Sequence, residues 1–168
     1  ARQAEKHFGN PQDIEWAKDG KTGQLFIVQS RPETVFTPSA IKTYEEYQIK
    51  TEKKPLLLGI AVGNKIGMGK VRVISSIKQA AAFQKGEVLV TTMTDPDWVP
   101  IMRLASAIVT NEGGKTAHAA IVSRELGLPC IVGTGNATQV LKTGQMITVD
   151  CTQGLRGRIY EGKISFEI

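Results

Sequence analysis

Short apolar segments recur along the latter part of the chain, and they constrain its fold more than any other feature. Six of them are rich in Val, Ile and Thr and only a few residues long, which predicts buried strands. They lie at 70–74, 87–92, 106–110, 130–133, 146–150 and 158–160. Helical periodicity is confined to 118–126 and to shorter candidates at 76–83, 96–104 and 137–141, with Pro100 a kink or restart. The pattern predicts a mostly β domain with helices on one side.

The first part of the chain has a different pattern. Residues 13–17 and 24–30 read as two strands joined by the turn-rich DGKTG, which predicts a β-hairpin. Residues 33–54 carry Thr, Pro, Lys and Glu with little apolar periodicity, as is typical of a linker. We therefore place a domain boundary near Lys54.

Composition excludes several classes of protein. The 168 residues are 41% hydrophobic and 22% charged, an ordinary globular balance. The net charge of +5 comes from scattered basic residues, so nucleic acid is not predicted as a partner. No apolar run has the length of a membrane span or a signal peptide. Cys130 and Cys151 lack metal-binding or disulfide spacing, which favours a reducing cytoplasm, and the start of the chain suggests a piece of a longer one.

The segment TNEGGKTAHAA, residues 110–120, concentrates the residues that could carry chemistry. Gly114, Lys115 and Thr116 match the end of the phosphate loop G-x-x-x-x-G-K-[ST]. The opening glycine of that motif would fall at position 109, which is Val109. Because the loop needs that glycine for its first tight backbone approach, a phosphate loop of this kind is excluded.

His118 gives the segment another interpretation. Gly113 and Gly114 allow the backbone to turn sharply after the strand at 106–110, and a helix is then predicted with Thr116 as its N-cap. His118 would be the second residue of that helix, beside unpaired backbone N–H groups and the positive end of the helix dipole. This is a place where an anion is stabilised.

A neutral imidazole in that position is a nucleophile, and a phosphoryl group on its ring would be stabilised by the N–H groups, by Lys115 and by the Thr116 hydroxyl. A single histidine near a helix start is most often a structural residue. Zinc is disfavoured because the other histidine, His7, lies in a different segment. A serine hydrolase is disfavoured because no G-x-S-x-G occurs. The residues favour a phosphoryl carrier.

The stretch GGKTAHAAIVSRELGLPCIVG resembles the phosphohistidine motif of the phosphoenolpyruvate-utilising enzymes. The pieces PQDIEWA and LFIVQSRPET resemble the end of the ATP-grasp domain of that family, and TTMTDPDWVPIM also fits it. The resemblance covers most of the chain. It implies an α/β fold: a three-layer β/β/α swivelling phosphohistidine domain at 55–168, after a linker at 37–54 and a β-hairpin remnant of an ATP-grasp nucleotide-binding domain at 1–36.

The resemblance also implies a reaction. His118 would take the β-phosphoryl group of ATP, with AMP and phosphate as co-products, and deliver it to pyruvate to form phosphoenolpyruvate. Gly113, Gly114, Lys115 and Thr116 belong to the same catalytic motif, and in some members a regulatory kinase/phosphorylase acts on the threonine that matches Thr116. The partners would be the ATP-grasp and TIM-barrel domains of a parent chain, without which turnover is not expected.

Two other functions stay open. The same carrier could serve a dikinase that uses inorganic phosphate, an antibiotic or a glucan, because the acceptor domain lies outside this sequence. Alternatively, the histidine helix could be a non-catalytic docking module, to which Arg124 and Glu125 at its solvated end could contribute. Thr94, with Asp95 and Asp97 after it, resembles a helix capping box, and we assign neither aspartate to catalysis.

The hairpin carries its own candidate site. If its turn centres near Thr22, Glu15 lies opposite Gln29, and Arg31 shares a strand face with Gln29. By resemblance, these three residues bind ATP, and Glu15 and Gln29 hold its Mg²⁺ in the full-length enzyme. Tight binding to this piece of the chain is not expected. From the residues alone, a surface ion pair on a solvated hairpin is the simpler interpretation.

Overall fold

A computed structural model describes residues 2–32, 47–49 and 51–167 of the chain. Contacts between residues divide the chain into two compact units, Ala1–Thr43 and Tyr44–Ile168. Each unit is described by itself below. The predicted limits of the nucleotide-binding remnant reach residue 36, and residues 33–36 lie outside the described part.

The first unit contains a short helix, α1 (Arg2–Phe8), and the predicted hairpin, which is confirmed as β1 (Gln12–Lys18) and β2 (Leu25–Pro32). Its strands are antiparallel, and Glu15 pairs with Gln29 as the predicted register requires. Beyond that pair the register shifts by one residue, because Trp16 pairs with Ile27 and Val28 forms a bulge.

The turn of the hairpin is held by one carboxylate. Asp19 Oδ1 accepts hydrogen bonds from the backbone N–H groups of Lys21 and Thr22, at 2.8 and 2.7 Å. These backbone bonds to the charged form lower the pKa of Asp19, and the Thr22 hydroxyl adds to the effect. The local DGKTG sequence therefore specifies the turn through a polar side chain, as turn aspartates commonly do.

In the second unit, seven of the described strands form a closed barrel. The strands are β4 (Leu57–Val62), β5 (Ile66–Val73), β6 (Val88–Thr91), β7 (Ala107–Thr110), β8 (Cys130–Val132), β9 (Met146–Asp150) and β10 (Arg156–Glu161). Their order around the barrel is β10-β4-β8-β7-β6-β5-β9; β5 to β8 run parallel to one another, and the remaining pairs are antiparallel. Outside the barrel, β3 (Gln48–Ile49) pairs with β11 (Phe166–Glu167).

Two hydrophobic clusters give this unit its layers. Alternate residues of the parallel strands point in opposite directions, so Val88 and Val90 enter the barrel interior and Leu89 faces outward. The interior cluster also includes Ile131, Ile147 and Ile159, from both walls of the barrel. The outer cluster joins Leu89 to helical residues such as Met102 and Ala120. The unit thus has two β walls and one helical layer, in agreement with the β/β/α prediction.

The helical layer follows the sequence closely. The longest described helix of this unit, α3, spans His118–Leu126 as predicted, and it ends at Gly127, whose φ of 66° is left-handed. The candidate at 96–104 is split into a 3₁₀ turn, Pro96–Trp98, and a short α2 (Val99–Met102). The candidate at 76–83 forms a 3₁₀ helix, Ile77–Ala82.

The last predicted helix appears as α4 (Ala137–Val140), and its position is unexpected. Ala137 and Leu141 belong to the interior cluster of the barrel and are fully buried. The segment therefore contributes to the core between the two β walls. The prediction of all helices on one side is wrong for this short segment, because an apolar pattern of four residues does not specify which core it enters.

Strands β3, β4 and β11 are absent from the predicted set. β4 is the important omission, since it pairs with both β8 and β10 and so closes the barrel. Its sequence, LLGIAV, has no period-two alternation of polar and apolar residues, and its leucines do not distinguish strand from helix. β3 lies within the residues predicted as linker, and the domain limits themselves stay a prediction.

Candidate functional site

The predicted histidine lies where three parallel strands end. Strands β6, β7 and β8 finish at Thr91, Thr110 and Val132, and their parallel register brings these ends to one edge of the barrel. Loops that follow the carboxyl ends of parallel strands meet at the same edge, where α/β proteins commonly place their sites. The segment 111–117 therefore lies between the loops that follow β6 and β8.

Backbone hydrogen bonds hold the start of that segment against the loop after β6. The N–H of Asn111 donates to the Thr91 carbonyl at 3.1 Å, and the N–H of Glu112 donates to the Thr92 carbonyl at 2.9 Å. The Thr110 hydroxyl donates to the Glu112 carbonyl at 2.6 Å. These bonds prolong the parallel pairing past the last strand residue and fix the direction in which the chain leaves the barrel.

On the other side, the Asn111 side chain binds the first turn of α4. Its Nδ2 donates to the Thr138 hydroxyl at 2.7 Å, and its Oδ1 accepts from the Thr138 N–H at 3.0 Å. The Thr134 hydroxyl donates to the Thr110 carbonyl at 2.9 Å. Local sequence does not reveal this contact, because Asn111 and its partner Thr138 lie 27 positions apart. The loop thus begins from a rigid base.

The two glycines of the motif have different conformations. Gly113 has a φ of +115°, which side-chain-bearing residues rarely adopt, and a Cβ added there would lie 3.0 Å from the Ala117 Cβ. Gly114 has no such φ, and an added Cβ would have no atom within 4 Å. The sharp turn before the helix therefore requires glycine at Gly113, while Gly114 leaves open space beside the chain.

Helix α3 begins one residue later than its predicted cap requires. The N-cap is Ala117, with extended φ and ψ of −67° and 153°, and His118 is the first helical residue. The prediction of Thr116 as N-cap is wrong, and so is the second helical position for His118. No side chain caps this helix. Among the described residues, the N–H groups of Thr116, His118 and Ala119 have no acceptor, so they are available to an anion.

The His118 ring is half-buried, and one of its nitrogens has a defined partner. Nδ1 lies 2.9 Å from Oγ1 of Thr94, in the loop after β6. In the part of the chain that the structure describes, Nε2 has no hydrogen bond. The ring is thereby oriented through one nitrogen, and the other is left for chemistry.

Thr94 is a candidate functional residue that the sequence did not reveal. The aspartates after it serve a helix start as predicted, because Asp95 caps the 3₁₀ turn with its Oδ1 accepting from the Asp97 N–H at 2.9 Å, while Thr94 itself is not the cap. Only the resemblance of TTMTDPDWVPIM to the family could have drawn attention to Thr94. Its contact with His118 depends on the parallel pairing of β6 and β7, which local sequence does not reveal.

Lys115 and Thr116 are both exposed beside the histidine. Their side chains make no hydrogen bond among the described residues, so they can turn toward a bound anion. The carbonyl of Lys115 accepts a hydrogen bond from Nη2 of Arg124, on the second turn of α3, at 2.8 Å. Arg124, predicted as a solvated residue, therefore contacts the histidine loop as well as solvent.

The candidate residues of the hairpin also come together. Glu15 pairs directly with Gln29, and Arg31 pairs with Asp13 through an ion pair of 2.9 Å. All four are exposed, and period-two alternation puts them on one face. A carboxylate and an amide oxygen suit Mg²⁺, which commonly takes one or two protein ligands and completes its shell with phosphates and water. The described residues hold no cluster of three His, Cys, Asp or Glu.

Two family models match the chain. Residues 83–154 match the mobile domain of the PEP-utilising enzymes, and residues 1–53 match the AMP/ATP-binding domain of pyruvate phosphate dikinase. The first match contains the whole histidine loop and Thr94, and the second contains the hairpin. The chain belongs to the phosphoenolpyruvate-utilising enzymes and contains their mobile domain.

Curated relatives give a more particular comparison. The chain is similar to the phosphoenolpyruvate synthases of Pseudomonas aeruginosa (53% identity), Aquifex aeolicus (55%) and Escherichia coli (52%). The alignments cover 100%, 94% and 100% of this chain, and 22%, 19% and 21% of the respective relatives. The chain thus spans about a fifth of the length of these proteins.

Solved structures are more distant. An Enzyme I solution structure aligns over 46% of this chain and 32% of its own, with 29% identity and a TM-score of 0.40. Glycerol dehydratase reactivase aligns over 73% and 28%, with 11% identity and a TM-score of 0.42. Both TM-scores are too low to support a statement about the fold. Among the described helices, none has the length and apolar character needed to cross a membrane.

Proposed function

We propose that this chain is the phosphoryl-carrying part of a phosphoenolpyruvate synthase, and that His118 is the residue phosphorylated. The observation that carries the proposal is the ring of His118 at the first position of α3, with Nδ1 2.9 Å from the Thr94 hydroxyl. The similarity to phosphoenolpyruvate synthases supports the synthase as the member of the family that this chain comes from. The cytoplasm is the proposed location.

The contact with Thr94 is compatible with two tautomers of His118, of which one is reactive. When the proton is on Nδ1, it is donated to Thr94 Oγ1, and the lone pair of Nε2 is free. The opposite tautomer would use the Thr94 hydroxyl as donor and leave a proton on Nε2, which could not attack phosphorus. We assign the first tautomer to the reactive state, because a nucleophile is prepared by a partner that orients its other nitrogen.

In the proposed first step, Nε2 forms a bond to the β-phosphorus of ATP while the bond from that phosphorus to the AMP oxygen breaks. The terminal phosphoryl group is transferred to water and leaves as inorganic phosphate. The N–H groups at the start of α3 and the Lys115 ammonium then stabilise the phosphoryl oxygens. In the second step the phosphoryl group passes from Nε2 to the enolate oxygen of pyruvate, which regenerates the imidazole.

In this proposal, the hairpin residues bind the nucleotide and its metal ion. Glu15 and Gln29 would hold Mg²⁺, and Arg31 would contact a nucleotide phosphate beside them. When bound, Mg²⁺ neutralises negative charge on the transferred phosphoryl group. The ATP-grasp and TIM-barrel domains of the parent chain would supply the remaining nucleotide contacts and the pyruvate site. Regulation through Thr116 is compatible with its exposure, since a dianion there would repel a phosphoryl group on His118.

The proposal is tested by labelling the full-length parent enzyme with ATP that carries ³²P at its β-phosphorus. The unmodified enzyme should acquire an acid-labile, base-stable label, and His118→Asn should acquire none because it lacks a nucleophilic nitrogen. His7→Asn is the matched control, since His7 is exposed on α1 and should leave labelling unchanged. Normal labelling of His118→Asn would refute the carrier assignment.

The acceptor is tested separately. With pyruvate added, the labelled enzyme should yield labelled phosphoenolpyruvate, and turnover should need no added inorganic phosphate. A requirement for phosphate as a substrate would favour the second candidate, a pyruvate, phosphate dikinase, whose nucleotide-domain model matches residues 1–53. A failure to label any histidine would favour a docking module.

A further inference from the structure

Few hydrogen bonds hold the backbone between Glu112 and α3, although this segment lies next to the proposed catalytic histidine. Up to Glu112, the loop is hydrogen-bonded to both neighbouring loops. At the other end, the Ala117 carbonyl accepts helical hydrogen bonds from the N–H groups of Ala120 and Ile121. Between these points lie the two glycines, which restrict the chain least. The turn there has one internal bond, from the Ala117 N–H to the Gly114 carbonyl at 3.0 Å.

One hydrogen bond connects residues 113–116 to another element. Within the part of the chain that the structure describes, it is the bond from Nη2 of Arg124 to the Lys115 carbonyl, at 2.8 Å. Arg124 lies on the second turn of α3, and side chains on a helix lean toward its N-terminus, which brings the guanidinium back to the loop. The donor is charged, so the bond is stronger than one between neutral groups.

This bond fixes more than one carbonyl. The peptide between Lys115 and Thr116 is trans and planar, so its C=O and N–H point in opposite directions. When the Lys115 carbonyl points toward Arg124, the Thr116 N–H points away from Arg124. The same N–H has no acceptor among the described residues. Arg124 therefore fixes the direction of the Thr116 N–H, two residues before His118.

We propose that Arg124 is a positioning residue for phosphoryl transfer: its guanidinium holds the Lys115–Thr116 peptide so that the Thr116 N–H faces the phosphoryl group on His118. The inference rests on the proposed function of His118. Without the tether, the glycine-rich turn can rotate this peptide and present the Lys115 carbonyl, which is negative, toward the phosphoryl oxygens. Arg124 itself does not need to touch the nucleotide.

The test uses the full-length parent enzyme with two changes at this position and one control. Arg124→Met keeps an apolar stem and removes the donors, Arg124→Lys keeps one ammonium, and Glu125→Gln changes the neighbouring exposed residue. We expect the single-turnover rate of β-³²P labelling to fall about ten-fold in Arg124→Met, as loss of orientation does. Arg124→Lys should retain part of the rate, and Glu125→Gln all of it.

A positioning role predicts two further readouts. The ATP concentration that gives half the maximal labelling rate should be unchanged in Arg124→Met, because Arg124 is not a ligand of ATP. Amide hydrogen exchange at Ala117, the described amide of residues 113–117 that has an acceptor, should become faster in Arg124→Met and not in Glu125→Gln. A slower rate with unchanged exchange would overturn positioning in favour of a simple charge effect.

The outcomes separate this inference from the proposal on which it rests. If the unmodified enzyme is labelled on His118 and Arg124→Met is labelled equally fast, the positioning role is refuted and the carrier function stands. If the unmodified enzyme is not labelled on His118, both are refuted. Should Arg124→Met fail to fold, Arg124→Lys decides by the same comparison of rate and exchange.

Discussion

The orientation of one imidazole ring determines the reactivity proposed for this chain. His118 and Thr94 are 24 positions apart in sequence and 2.9 Å apart in the structure. The hydroxyl fixes the rotation of the ring, and by accepting from Nδ1–H it supports the tautomer in which Nε2 can attack. A histidine alone at a helix start would have neither.

Replacing Thr94 with valine tests this contact, because valine keeps the shape and removes the hydroxyl. We expect labelling of His118 to slow by about 10- to 100-fold, the range seen when a group that orients a histidine is lost. Thr94→Ser keeps the hydroxyl and should label at close to the normal rate. The measurement is single-turnover transfer from β-labelled ATP in the parent enzyme. Equal rates for the valine and serine variants would exclude an orienting role.

His118 could be proposed from sequence because its signal is local: a strand, a glycine turn and a helix follow one another within a few residues. The same local rules misplaced the cap by one residue, since threonine is the better capping side chain and Ala117 has none. The contact of Thr94 with His118 and the hydrogen bonds between Asn111 and Thr138 could not be found in this way. Both depend on which strands lie side by side.

At the scale of elements, the turn between β7 and α3 does what neither element could do alone. β7 is buried on both faces, so a reactive group within it would be inaccessible to a nucleotide. The turn carries the chain out of the sheet and starts a helix whose first N–H groups have no acceptor among the described residues. Gly113, at a φ of +115°, is the residue that permits this change of direction.

The two glycines of the turn offer a matched pair of substitutions. Gly113→Ala should destabilise the phosphohistidine unit by about 1–3 kcal/mol, the usual cost of forcing a side chain into such a backbone conformation. Gly114→Ala should change the unfolding free energy by less than about 0.5 kcal/mol, because its added methyl group meets no atom within 4 Å. Urea denaturation of the 168-residue chain measures both. Equal losses would show that the turn is not strained at Gly113.

At this scale, prediction succeeded for buried strands with β-branched residues and for the one helix with a clear start and stop. It failed for β4, whose leucines and Gly59 carry no period. An added Cβ at Gly59 would lie 2.5 Å from Cγ2 of Ile131, so this glycine is required by the close approach of β8. Such a requirement belongs to the partner strand and is invisible in the local sequence.

At the scale of the molecule, the second unit encloses two free thiols within its core. Cys130 and Cys151 are 0% and 1% exposed, and Sγ of Cys151 donates to the Cys130 carbonyl at 3.3 Å. Burial raises the pKa of each thiol to about 12, so both are neutral at physiological pH. Since the thiolate is the reactive form, both cysteines should be inert while the barrel is closed.

This makes cysteine labelling a measure of global unfolding. At pH 8, well below a pKa of about 12, a maleimide should leave both cysteines unmodified in the native chain and modify both in urea. Across a urea series, the fraction labelled should follow the loss of circular dichroism, because Cys151 is buried between the β walls and Cys130 is buried beneath the helical layer. Mass spectrometry counts the labels. Rapid labelling of one cysteine in native buffer would instead indicate local opening around that residue.

A further property of the carrier follows from the circular order of its seven strands. An open sheet would expose a row of unpaired backbone groups along each outermost strand, which could pair with strands of other molecules. Because β4 joins β8 to β10, the ring has no outermost strand. The barrel is thereby protected from aggregation by strand addition, because each of its strands already has a neighbour on both sides.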